Sequence, residues 1–162
     1  MDIVGLLPEA AISIRAPATD WREAIRWAGR TLVASGATTD AYTDEMIATV
    51  ESLGPYIVIA PGIALAHARP SPAVLHTGFS VVTLAQPVEF GHSANDPVRL
   101  VIGLAAPDAD GHVEALATLA DFLADDARRA ALLAADDVVK VRTLIADYER
   151  SRASLPGAAA RA

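Results

Sequence analysis

An α/β protein whose central sheet is covered on both faces by helices is what three features of the 162-residue sequence predict. Short β-branched and apolar runs gather in the middle of the chain, and longer stretches with apolar residues at helical spacing stand before and after them. Asp, Thr, Gly and Pro punctuate the junctions where helices would start and stop. Helices on both sides of a central group of strands imply a three-layer α/β/α sandwich around a mixed sheet. Periodicity alone leaves the strand order open.

Ile12-Ser-Ile-Arg alternates apolar and polar residues and reads as a short edge strand. Thr19-Asp20 offers an N-cap for a helix from about Asp20 to Ser35, with Trp21, Ala24, Ile25, Ala28, Leu32 and Val33 on one face and Gly36 as its stop. Trp21 and Trp27 at this spacing read as packing residues and not as a stacking platform. Thr38-Thr39-Asp40 opens a second helix to about Leu53, with Met46, Ile47, Val50 and Leu53 as its inward stripe and Gly54-Pro55 as its end. Two strands follow, Tyr56 to Ala60 and Ile63 to Ala66, then a third from Thr77 to Leu84 and a fourth from Val98 to Ala106. Glu89 to Pro97 is a polar loop between the last two. Asp108 or Asp110 caps a helix on which Val113, Leu116, Leu119, Ala120 and Leu123 recur at helical spacing. Asp125-Asp126 begins another through Leu133, and Asp136-Asp137 a last one through Tyr148. From Ser151 the Ala, Gly, Pro and Arg tail has no periodic pattern and reads as frayed, so one domain over residues 1–150 and a tail over 151–162 are expected.

Composition narrows the function. A chain of this length that is 52% hydrophobic has enough apolar material for one sizeable core and is not a disordered protein. It contains no Cys, so disulfides and thiolate metal sites are excluded. The N-terminus has no basic region ahead of an apolar run, and no stretch approaches the ~18 apolar residues of a spanning helix. A cytoplasmic protein is expected, reaching a membrane only through a partner. The formal net charge of −7 is the wrong sign for a phosphate backbone, which argues against nucleic acid and in favour of a basic protein partner.

The most informative stretch is Tyr56 to Pro72. Pro61-Gly62 suits the central positions of a type II turn, because Pro presets its own φ and Gly accepts a positive one. The second run therefore ends at His67, and Pro70 and Pro72 prevent the ladder from continuing. His67 and Arg69 are expected at the rim of the sheet, where a scaffold presents a reactive group to a partner.

Gly62-Ile-Ala-Leu-Ala-His67-Ala-Arg resembles the phosphohistidine motif, Gly-Ile-Ala-x-Pro-His, of the mannitol/fructose-type enzyme IIA proteins of the phosphoenolpyruvate-dependent sugar phosphotransferase system. Gly54-Pro-Tyr-Ile-Val-Ile-Ala-Pro-Gly, His67-Ala-Arg-Pro, Thr77-Gly-Phe-Ser-Val-Val-Thr-Leu, Val88-Glu-Phe-Gly-His and Asn95-Asp-Pro-Val are similar to the ascorbate-specific branch. The similarity runs from about Met1 to about Tyr148, with one departure: the Pro before the active His is Ala66 here. The resemblance implies the enzyme IIA type 2 fold and a phosphocarrier. His67 would take a phosphoryl group from the phosphocarrier protein HPr and pass it to a cysteine of an enzyme IIB, which serves a membrane enzyme IIC importing ascorbate or a related acid sugar. A regulatory nitrogen-type enzyme IIA and a non-catalytic binding module on the same fold are the alternatives, and a homodimer is left open.

His67 suits this chemistry as a neutral imidazole nucleophile whose second nitrogen is held by a hydrogen bond. Arg69 is expected to contact the phosphoryl oxygens, its alternative being a solvated rim arginine. His112 falls in the first turn of a helix, where free N–H groups favour a neutral ring and an anionic neighbour, and the resemblance implies that it faces the phosphorylated histidine. Its alternative is a surface residue at a helix start. His92 and His76 read as surface residues. No ligand spacing supports a metal, and no glycine-rich nucleotide loop is present, so no cofactor is expected and the phosphoryl donor should be a protein.

Overall fold

In the computed structural model, which describes residues 1–154, the strands send alternate side chains into two cores, and this alternation sets the layers. A short 3₁₀ turn, Glu9–Ala11, precedes β1 (Ile12–Ala16), α1 (Trp21–Ala34), α2 (Asp40–Leu53), β2 (Val58–Ala60) and β3 (Ile63–Ala66). β4 (Gly78–Val88), β5 (Val98–Ala105), α3 (Ala109–Leu123), α4 (Asp126–Ala134) and α5 (Val138–Ala153) complete it. The strands form one sheet in the order β1-β4-β5-β3-β2. β1 with β4 and β3 with β5 run parallel, while β2 with β3 and β4 with β5 run antiparallel, so the sheet is mixed.

Ala64 and Ala66 of β3 and Val101 and Ala105 of β5 join a core with Ala24, Ile25, Ala28 and Leu32 of α1 and Tyr42, Met46 and Val50 of α2. Ile63, Leu65, Leu100, Ile102 and Leu104, from the opposite face of the same strands, pack with Leu119, Phe122, Leu132, Val141 and Ile145 of α3, α4 and α5. The three expected layers result. Asp20, Asp108, Asp125 and Asp137 each accept a hydrogen bond from the N–H three residues on, anchoring four of the five helices at about 1 kcal/mol apiece. At the turn between β2 and β3, Gly62 has φ +76°, the conformation for which Gly was expected there. Trp27 donates its indole N–H to the Pro17 carbonyl at 2.8 Å while its ring packs on the first core, a structural use of the aromatic.

Four details differ from the sequence expectation. β4 runs on to Val88, through exposed Ala85, Gln86 and Pro87, after a register shift between Thr83 and Val88 that polar residues and a proline conceal in the sequence. Leu53 is 69% exposed, as part of a last turn of α2 in which Glu51 and Ser52 are exposed too, so the buried stripe ends at Val50. Val113 and Ala120 of α3 are also exposed, the buried face being Ala115, Thr118, Leu119, Phe122 and Leu123. Finally, α5 continues through Ala153: Arg150 and Arg152 in its last turn complement the helix dipole, and Arg152 donates to the Tyr148 hydroxyl at 3.2 Å. Ser151 to Ala153 are therefore helical, and the rest of the expected tail, 155–162, lies outside the described residues.

Candidate functional site

Because β3 and β5 are parallel neighbours, their C-terminal ends open on one edge of the sheet. His67 follows β3 directly, and β5 leads through Ala106 and Pro107 into α3, whose first turn holds His112. The two rings, 45 residues apart in sequence, stand 5.5 Å apart between centroids and are tilted by 45°. Both are half-buried. Ala66, in the position where the related motif has Pro, is fully buried and pairs with Gly103, so the ladder continues to the residue before His67.

The hydrogen bonds assign protons to the rings. His67 Nδ1 lies 2.7 Å from the Leu65 carbonyl, which can only accept, so Nδ1 carries the hydrogen and Nε2 of the neutral ring keeps its lone pair. In His112 it is Nδ1 that is buried, and it has no partner. Burial, and after it the neighbouring His67, hold the His112 pKa below the usual imidazole value. The neutral form is thus the resident one. A proton on Nε2 spares the ring a buried orphan N–H, which would cost about 1–3 kcal/mol.

Two tyrosines join this edge. Tyr56, 45% exposed, meets the His67 ring edge-on at 5.9 Å and 77°, forming one wall of the site. Burial raises the Tyr56 hydroxyl pKa and the nearby Arg69 guanidinium opposes the rise, which puts exposed Arg69 on the same rim. Tyr42 is fully buried beneath, with its hydroxyl 2.7 Å from the Leu104 carbonyl and 3.0 Å from the Ala68 amide. Its pKa is pushed up to about 12, chiefly by burial. Sequence reasoning passed over both. The usable signal was a tyrosine one helical turn before Met46 on an apolar stripe, whose hydroxyl had to find a partner inside.

The structure therefore brings His67 and His112 together, places Arg69 near Tyr56 beside them, and leaves the other histidines out. His76 is exposed, its Nδ1 on the Thr77 carbonyl at 2.9 Å. His92 sits in the loop ahead of β5, its Nδ1 accepting the amides of Ala94 and Asn95 at 3.1 and 3.0 Å. Among the described residues no three His, Asp or Glu side chains gather in a way that would hold a metal ion, and no helix is long and apolar enough to cross a membrane. An open concavity of about 430 Å³ between Trp21, Glu51, Pro55 and Phe90 contains none of the histidines. His67 and His112 lie outside that concavity, each half-buried and so partly accessible to another protein's surface.

A model of the family described as phosphoenolpyruvate-dependent sugar phosphotransferase system, EIIA 2, matches residues 6–148. The ascorbate-specific PTS system EIIA component of Escherichia coli K12 is 44% identical over 109 residues, which is 67% of this chain and 71% of that protein. Among solved structures, the mannitol-specific cryptic phosphotransferase enzyme IIA CmtB of Escherichia coli superposes with a TM-score of 0.81 at 33% identity, covering 91% of this chain and 99% of that one. A complex of the mannitol enzyme IIA with phosphorylated enzyme IIB, also from Escherichia coli, contains a chain that matches at TM-score 0.77 and 29% identity, over 88% of this chain and 99% of that one.

Proposed function

Given that the chain belongs to the EIIA type 2 family of the phosphoenolpyruvate-dependent sugar phosphotransferase system, we propose that His67 is the residue that carries the phosphoryl group. The observation behind this reading is the 2.7 Å hydrogen bond from His67 Nδ1–H to the Leu65 carbonyl, which leaves Nε2 as a free nucleophile on the open rim. The Nε2 lone pair attacks the phosphorus of a phosphohistidine on HPr; the new N–P bond forms as the donor's N–P bond breaks, and the donor imidazole leaves with that electron pair. The positive charge then placed on the His67 ring is stabilised by the Leu65 carbonyl dipole at Nδ1–H. In the second half, a cysteine thiolate of enzyme IIB attacks the same phosphorus and His67 leaves neutral.

His112 is held neutral by burial, so its N–H donates to a phosphoryl oxygen without adding a second cation beside the charged His67 ring. Exposed Arg69 supplies the positive charge that the oxygens need, from the rim. The partly exposed position of His67 suits protein donors and acceptors, and the EIIA–EIIB complex of the mannitol system gives the precedent for an enzyme IIB partner. The ascorbate-specific names of the 44% identical relatives favour ascorbate or a related acid sugar as the cargo of the associated membrane component. Mixing the chain with enzyme I, HPr and phosphoenolpyruvate, followed by mass spectrometry under conditions that preserve a phosphoramidate, tests the assignment. One phosphoryl group on His67 is expected; phosphate on His67→Ala protein would overturn it, and no phosphate on the unaltered chain would leave a binding module on the same fold.

A further inference from the structure

The parallel ladder between β3 and β5 breaks off in a particular way. Its register runs Ala64↔Val101, Leu65↔Ile102, Ala66↔Gly103, so a two-residue continuation would set Ala68 opposite Ala105. In a parallel pair of this phase the next rung would be the Ala68 N–H donating to the Leu104 carbonyl. Those two groups are instead bridged by the hydroxyl of Tyr42, which accepts from the Ala68 N–H at 3.0 Å and donates to the Leu104 carbonyl at 2.7 Å. The Ala68 carbonyl, at 3.3 Å, is the poorer of the two possible acceptors for its single proton. A hydroxyl inserted into one rung adds an atom between the strands, so β3 and β5 splay at this end of the sheet and not before it. One of the splayed ends carries His67; the other leads within four residues to Asp108, the cap of the helix that carries His112.

We infer that Tyr42 is a positioning residue for phosphoryl transfer: its hydroxyl is a spacer that sets the gap between the two histidines and holds the His67 ring in its Nδ1–H form. The inference rests on His67 being the phosphoryl carrier. Tyr42 is 0% exposed, so it touches neither partner nor phosphoryl group, and any effect it has on transfer must travel through the backbone at Ala68 and Leu104. Neither group has another partner of comparable quality, and the rest of the Tyr42 ring is held by the apolar core of α1 and α2. The spacer is thus anchored in the core and not on the rim.

The test is Tyr42→Phe, which keeps the ring and removes only the bridging atom, compared with Met46→Ala, a buried change one turn further along α2 that leaves the bridge alone. For Tyr42→Phe the turnover rate with phosphorylated HPr should fall about tenfold with little change in KM, since the docking rim is untouched. The ¹⁵N imidazole spectrum should show His67 losing its single Nδ1–H tautomer. Met46→Ala should lower the melting temperature and leave both readouts alone. Equal rates and an unchanged His67 tautomer in Tyr42→Phe would overturn the inference, as would an equal slowing in Met46→Ala. If Tyr42→Phe does not fold, 3-fluorotyrosine at position 42 keeps the bridge and alters its strength: shifted His67 nitrogens with altered turnover support the spacer, and unchanged ones refute it. An unaltered protein that takes no phosphate on His67 removes the proposed carrier role and this inference together, whereas normal phosphorylation with an indifferent Tyr42→Phe removes the inference alone.

Discussion

The two ends of the parallel β3–β5 pair each hold a histidine in non-ladder backbone, and they use it in opposite ways. Ahead of the strands, the loop from Glu89 to Pro97 satisfies itself: His92 Nδ1 accepts two backbone amides, and the Asp96 carboxylate accepts those of Phe90, Gly91 and His92 at 2.7–3.1 Å. The loop is tied to the sheet by the Gly62 amide, which donates to the Asn95 carbonyl at 2.9 Å. Behind the strands, His67 keeps one ring nitrogen without a partner and His112 has a buried nitrogen with none. A histidine that completes a loop spends its lone pair on that loop; one that is to act as a nucleophile must be held through its N–H and keep the lone pair free. A ring lone pair left free, and not the residue type, separates the two ends.

Exchanging the histidines for non-nucleophilic residues at each end gives the largest expected contrast. His67→Gln should abolish phosphoryl uptake from HPr, while His92→Gln should leave its rate unchanged, both read by quench-flow with labelled phosphoenolpyruvate. Loss of uptake in His92→Gln would erase the distinction between the ends. Next in size, His112→Ala should slow transfer in both directions by about a hundredfold through loss of one transition-state donor, yet still fold, because Asp108 continues to cap α3. Unchanged rates would return His112 to the role of a surface residue.

Asp96→Ala should act the other way, costing about 1–2 kcal/mol of stability in a denaturant titration without touching transfer. Burial pushes the Asp96 carboxyl up, but the three amides and Glu89 outweigh it and hold it below the ordinary range. A depressed carboxylate contributes stability above its unfolded pKa, and the contribution disappears as pH falls through the folded value. The Asp96→Ala deficit should therefore shrink in acid. A transfer defect in this variant would mean that the two ends are coupled.

His112 gives a smaller and distinguishable pH signature. Its folded pKa lies below 6.5, so above that pH the ring is neutral in both states and adds no slope. Below it the unfolded chain binds a proton that the folded chain refuses, and stability drops as pH falls from 6.5 toward the folded value. His112→Ala should flatten that portion of the curve, and an unaltered slope would show that the ring is not desolvated in solution. The smallest effect expected is electrostatic: with a net charge of −7, transfer from HPr should slow a few-fold between low and physiological ionic strength. Asp108→Asn with Asp110→Asn should weaken that dependence while Asn keeps the cap. Rates flat across salt would leave docking to shape and apolar contact.

Most of the framework was legible in the chain. The caps at Asp20, Asp108, Asp125 and Asp137, the turn at Pro61-Gly62 and the bounds of β3 follow from local chemistry, which depends only on nearby residues and so is written in them. The long phrases from Gly54 to His67 and from Val88 to Val98 pointed to the family for the same reason, being contiguous. The end of β4 and the exposure of Leu53 and Val113 were not legible, because they depend on where a neighbouring strand shifts register or a supporting layer stops.

The site divides along the same line. Residue order and type were enough to place one histidine where a buried strand gives out and another where a helix begins, with no cysteine and no metal-ligand spacing beside them. It took the folded chain to bring the two rings to 5.5 Å, to set the Leu65 carbonyl where it selects the tautomer of His67, and to put a hydroxyl from α2 into the gap between β3 and β5. The physical reason is the range of the interactions: capping and turn formation act within about four residues, whereas the pairing of β3 with β5 and the reach of Tyr42 join segments that have no proximity until the sheet closes.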